Sequence, residues 1–113
     1  MSDVTSKAWR SHPRVTSADV QYLIMAPFAV VAYIKKGNFI HVGVARCNPH
    51  DKFNEDQGID RAAARAKLQY AARLGLIPER RLRAWARRNE ATNNPMMLTL
   101  TQREFKAKFG TTP

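Results

Sequence analysis

A chain of 113 residues with 44% apolar side chains has room for one modest core, which excludes separate catalytic and regulatory domains. Its one cysteine, Cys47, excludes an internal disulfide, and its longest uncharged run, Tyr22 to Ile34, is broken by Pro27 and falls short of the roughly 20 residues of a membrane helix. The net charge of +10 is unevenly placed: seven basic and six acidic residues precede Arg61, and twelve basic and three acidic follow from there on. A chain needing only solubility intersperses its signs, so the asymmetry points to a face that meets something negative. The N-terminus lacks the basic patch, apolar stretch and small-residue cleavage site of a secretory leader, and the expectation is a cytoplasmic protein with no membrane partner.

Taken in order, Met1 to Ser17 is polar and shows neither helical nor strand period, which predicts a flexible basic arm (residues 1–17) ahead of a single domain (residues 18–113). Val20, Tyr22 and Ile24 alternate, so Asp19 to Met25 reads as a short strand. Phe28 to Lys35 and Phe39 to Arg46 are rich in β-branched and aromatic residues, and Gly37-Asn38 between them tolerates positive φ, which predicts a tight hairpin. In that register Val31 faces Val44 and Tyr33 faces Val42. Val30, Ala32 and Ile34 then share the other face with His41, Gly43 and Ala45, where the small residues let a helix approach closely. Cys47 to Gln57 has the polar, turn-forming composition of a loop pinned at Phe53.

Ile59 to Leu74 reads as a helix ended by Gly75. Ile59, Ala63, Ala66, Tyr70 and Leu74 form its packing face, while Arg61, Arg65, Gln69 and Arg73 advance in i+4 steps across the far side. Pro78 fits the first turn of a second helix, Pro78 to Asn89, with Leu82, Trp85 and Ala86 as a narrow apolar stripe amid arginine. Met96 to Leu100 reads as a short strand. Thr101-Gln-Arg-Glu104 is a capping box, with Leu100 and Phe105 as its hydrophobic staple, opening a last helix from Gln102 to Phe109 that Gly110 ends. The predicted fold class is α+β: a small antiparallel β-hairpin or three-stranded sheet with two to three helices packed on one face.

The residues that carry a functional expectation are Arg61, Arg65, Arg73, Arg80, Arg81, Arg83, Arg87 and Arg88, which would contact nucleic-acid phosphates or the carboxylates of an acidic partner. Arginine outnumbers lysine twelve to seven overall, a bias that favours bidentate phosphate contacts and stacking on bases over general solvation. Trp9, Phe39 and His41 are candidate stacking groups. Gly75-Leu76-Ile77 also has the length of a helix-turn-helix connection, but so does any helical hairpin. His41, Cys47, His50 and Asp51 are the only metal-ligand types near one another in sequence, and a lone Cys-x-x-His pair does not complete a tetrahedral site. Asp51, Glu55, Asp56 and Asp60 read as helix-start caps. No catalytic constellation, metal or cofactor is expected.

The stretch Gly43-Val-Ala-Arg-Cys-Asn-Pro-His-Asp-Lys-Phe53, with Gly58 and Arg61-Ala-Ala-Ala-Arg-Ala66 after it, resembles small uncharacterised bacteriophage and prophage proteins in which a Gly-x-Ala-x-Cys-x-Pro-x-Asp-x-Phe loop follows a β-hairpin. The likeness covers about a quarter of the chain and carries no family site. It implies a mobile-element origin and a bacterial host cytoplasm. The expected function is therefore a non-enzymatic basic binding protein for DNA or RNA. The alternative is a host-factor or defence-system inhibitor, anti-CRISPR-like, whose arginines meet an acidic protein surface.

Overall fold

Lys36 and Phe39 are the last residues to pair across the turn Gly37-Asn38, where Gly37 takes φ +61°. From that turn the hairpin runs for eight residues on each strand in the computed structural model of the protein, which describes residues 11–25, 29–46, 55–78, 80, 97–111 and 113. Strand β1 is Gln21–Met25, β2 is Ala29–Lys36, β3 is Phe39–Arg46 and β4 is Met97–Leu100. They form one antiparallel sheet in the order β1-β2-β3-β4. The hairpin register is the expected one, with Val31 opposite Val44 and Tyr33 opposite Val42. The α+β class holds, and the sheet has four strands where two or three were expected, because β1 and β4 each add to one side of the hairpin.

Helix α2 spans Glu55–Arg73 and starts earlier than its apolar period indicated. Asp56 in the first turn suits the positive end of the helix dipole, so the acidic residues assigned to the loop extend the helix instead. Gly58 lies inside it against β2: a Cβ there would stand 2.8 Å from Val30 Cγ2. Leu74-Gly75 then ends the helix, with Gly75 at φ +79°.

The helix is seated on the sheet over Gly43. A Cβ on Gly43 would overlap the Ala62 carbonyl oxygen and the Ala66 amide nitrogen, and would stand 2.7 Å from Arg65 Cβ. Ala62 and Ala66 are wholly buried, packed with Val30, Ala32, Ile34, Ala45 and Tyr70. Burying each of the branched side chains here contributes about 1.5–3 kcal/mol.

Two expectations about packing are corrected. First, the side of α2 away from the sheet is solvated only towards its start, where Asp56, Gln57, Asp60 and Arg61 are exposed. Leu68 and Ala71, on its outer side, are buried with Val15, Ile77 and Met97. Val15 belongs to a helical turn, α1 (Pro13–Thr16), whose N-cap His12 accepts the Arg14 amide through Nδ1 at 3.2 Å. Residues 13–16 of the expected arm thus form a helical turn that lays Val15 over Leu68 and Ala71. The rest of that arm, residues 1–10, lies outside the described residues.

Second, the helices do not share one face. Helix α3 (Gln102–Phe109) sends Phe105 to the opposite side of the sheet, where it is wholly buried among Val31, Ile40, Val42 and Val44. Tyr33 meets the Phe105 ring edge-on at 5.0 Å between centroids, and Phe109 packs beside it at 4.8 Å. Both hairpin faces were apolar in sequence, and a second helix is what covers the second one. The predicted capping box is present: Thr101 Oγ1 accepts the Glu104 amide at 3.2 Å and the Thr101 amide donates to Glu104 Oε1 at 3.1 Å. Gly110, at φ +76°, closes the helix by donating to the Lys106 carbonyl.

Candidate polyanion-binding surface

Because Gly43, Ala62 and Ala66 let α2 lie close to the strands, the i+4 row of Arg61, Arg65, Gln69 and Arg73 is lowered onto β3 and β4. The predicted far side of the helix is, for this row, a flank that touches the sheet. Arg65 Nη1 donates to the Val44 carbonyl at 2.7 Å. Among the described residues β4 pairs with β3 only from Ile40 to Gly43, so the guanidinium takes a carbonyl just past the end of that ladder. Burial, then the neighbouring Arg61 cation, pushes the Arg65 pKa below the ordinary guanidinium value. Arg65 is therefore a structural donor, half withdrawn from solvent.

One turn on, Gln69 Nε2 donates to Thr99 Oγ1 at 2.7 Å, and Thr99 Oγ1 lies 3.2 Å from His41 Nδ1. His41 is 1% exposed and its ring lies 5.3 Å from that of Tyr70. Desolvation, and secondarily the Arg73 charge, lower its pKa to about 4. A neutral, enclosed imidazole cannot stack on a ligand, which corrects its candidacy. The alternating strand pattern placed His41 on the helix-facing side, and that was the signal for burial.

Arg73 ends the row. Its guanidinium carbon sits 5.0 Å from the centroid of Phe39, a ring that stays 38% exposed. Phe39 pairs across the hairpin with Lys36, whose Nζ lies 5.8 Å from the Tyr70 centroid. Lys36, Phe39 and Arg73 are exposed and gather over buried Tyr70 at the turn end of the hairpin, beside the last turn of α2. Two cations on two aromatic rings make one patch, and Lys36 is the member that the spacing of the arginines does not reveal.

Among the described residues, the acids of α2 lie in its first two turns, at the end away from Arg73. Val20 to His50 and Arg61 to Pro78 contain no aspartate or glutamate at all. Arg61 and Arg80 are also exposed, the latter in helical conformation. Arg81, Arg83, Arg87, Arg88 and Trp9 lie outside the described residues, as do Cys47, His50 and Asp51 and most of the expected helix Pro78 to Asn89. Of the predicted cations, the structure thus brings Arg61, Arg65 and Arg73 along one flank and engages Arg65 internally. Among the described residues no helix is long and apolar enough to cross a membrane. No protein-family model, curated protein or solved structure matches the chain.

Proposed function

We propose that this chain is a small, non-enzymatic nucleic-acid-binding protein of a bacteriophage or other mobile element, acting in the cytoplasm of its bacterial host. It holds phosphates with cations along the α2 flank and the hairpin turn. The observation that carries the reading is the absence of aspartate and glutamate from Val20–His50 and Arg61–Pro78, the stretches bearing Lys36, Arg61 and Arg73, in a chain of net charge +10. Exposed cations on acid-poor stretches keep field for a partner, and a polyanion that releases counterions on contact is the partner such a field attracts most strongly.

The test is binding to random single- and double-stranded oligonucleotides between about 50 and 200 mM salt. If three phosphates are neutralised, log affinity falls against log salt with a slope of about −2 to −3. Absence of binding at the lowest salt refutes the proposal. A second reading, an inhibitor that seats on an acidic host protein or defence complex, is favoured by edge strand β1, where Tyr22, Ile24 and Met25 are 44%, 38% and 43% exposed. Phosphate contacts have no use for that uncharged apolar edge, whereas a protein partner does. Capture of a partner that survives nuclease treatment of the lysate separates the two.

A further inference from the structure

We infer that the nucleic acid is single-stranded and that one base stacks at the Phe39–Arg73 pair while Lys36 takes an adjacent phosphate; this rests on the nucleic-acid reading above and names its substrate class. Phe39 belongs to none of the three buried clusters that hold the protein together, although it begins a strand whose next six residues are all buried. A ring left outside the core and backed by a guanidinium has a polar-rimmed apolar surface of the kind that accepts another flat π system. The cross-strand pairing of Lys36 with Phe39 puts an ammonium and a ring on the same side of the sheet, next to each other. That combination serves a nucleotide, which carries a charge and a flat face a short distance apart.

Strand state follows from access. In a duplex each base is covered by its neighbours and only phosphates and groove edges are offered, so a ring at the rim of a sheet has nothing to stack on. In a single strand the bases turn outward and stack on aromatic side chains or guanidinium planes. Helices α2 and α3 cover the two sheet faces, so the broad aromatic platform of an open sheet is closed off and the rim can engage only one or two bases. Low sequence preference follows, since every base has a π face.

The experiment compares labelled oligo-dT, an abasic deoxyribose-phosphate oligomer of the same length and a matching duplex, using the full chain and its Phe39→Leu and Phe39→Trp variants. Thermal melts establish that the variants are folded. The expected result is that Phe39→Leu weakens oligo-dT binding about tenfold with the salt slope unchanged, leaves the abasic and duplex affinities alone, and that Phe39→Trp restores or strengthens binding. If wild type binds all three polyanions equally and Phe39→Leu changes none of them, Phe39 and Arg73 are only a stabilising contact; the phosphate reading then stands and this inference falls. If wild type binds none of the three at low salt, both fall together.

Discussion

Adding one methyl group at Gly43 tests the seat on which the surface depends. In Gly43→Ala the new carbon overlaps Ala62 O and Ala66 N and stands 2.7 Å from Arg65 Cβ, all on α2. Two of these neighbours are helix backbone, which has no rotamer to change. Ordinary contact therefore requires the helix to rise by about 1 Å, a gap that forfeits a quarter to a half of each dispersion contact along it. Ala62, Ala66 and Tyr70 would part from Val30, Ala32, Ile34 and Ala45. The 2.7 Å bond from Arg65 to Val44 would also stretch beyond useful length. Overpacking of about 1–3 kcal/mol and a charged hydrogen bond of about 1.5–3 kcal/mol together predict a loss of about 2.5–6 kcal/mol. Urea unfolding at neutral pH measures it as a fall in midpoint at constant slope. Gly37→Ala is the control: Gly37 has φ +61° and nothing within 4 Å of a built Cβ, so only backbone strain of about 1–2 kcal/mol is incurred. Equal losses for the two variants, or less than about 1 kcal/mol at Gly43, would refute the close seat.

Two further outcomes follow from named groups. His41 has a folded pKa lowered to about 4 against 6.5 in the unfolded chain, so the unfolded state binds more protons between those values; stability is full above pH 6.5 and falls as the pH drops towards 4. The loss is roughly 3 kcal/mol at the acid end, so between pH 7 and 4.5 the urea midpoint should fall further for wild type than for His41→Phe, which keeps only the fall that other groups contribute; parallel curves for the two proteins count against a buried neutral imidazole. Thr101→Ala removes the acceptor for the Glu104 amide and should cost about 1 kcal/mol, seen as a lower melting temperature, while an unchanged melt would mean the box adds nothing to α3.

What could be read from the residues was what is local. Gly37-Asn38 between two alternating runs determines the hairpin and its register, and Thr101 three residues before Glu104, with Gly110 beyond, determines the bounds of α3. What could not be read was where helices lie relative to the sheet. Val31, Val42 and Val44 announced a second apolar face, yet nothing in the spacing said that Phe105 would fill it. Val15 sits in a polar stretch with no period, and its burial depends on Leu68, Ala71 and Ile77, residues more than fifty positions away in the chain. Tertiary contacts of this kind have no local signature.

The same limit explains the site. A helical wheel places Arg61, Arg65, Gln69 and Arg73 on the side away from the apolar stripe and treats them as equivalent, because a wheel has no height above the sheet. Gly43 supplies the height. With α2 pressed onto the strands, the middle of the row is consumed in bonds to Val44 and Thr99, and only its ends keep charge for solvent. At the Arg73 end the row meets the hairpin turn, where Lys36 and Phe39 come from strands with no sequence relation to the helix. The surface is thus assembled by packing from three elements, each unremarkable alone. Lifting the helix at Gly43 should therefore separate Arg73 from Phe39 and weaken stacking as well as stability. A Gly43→Ala protein that remains folded at low temperature yet binds oligo-dT as wild type does would show that the patch does not depend on the seat.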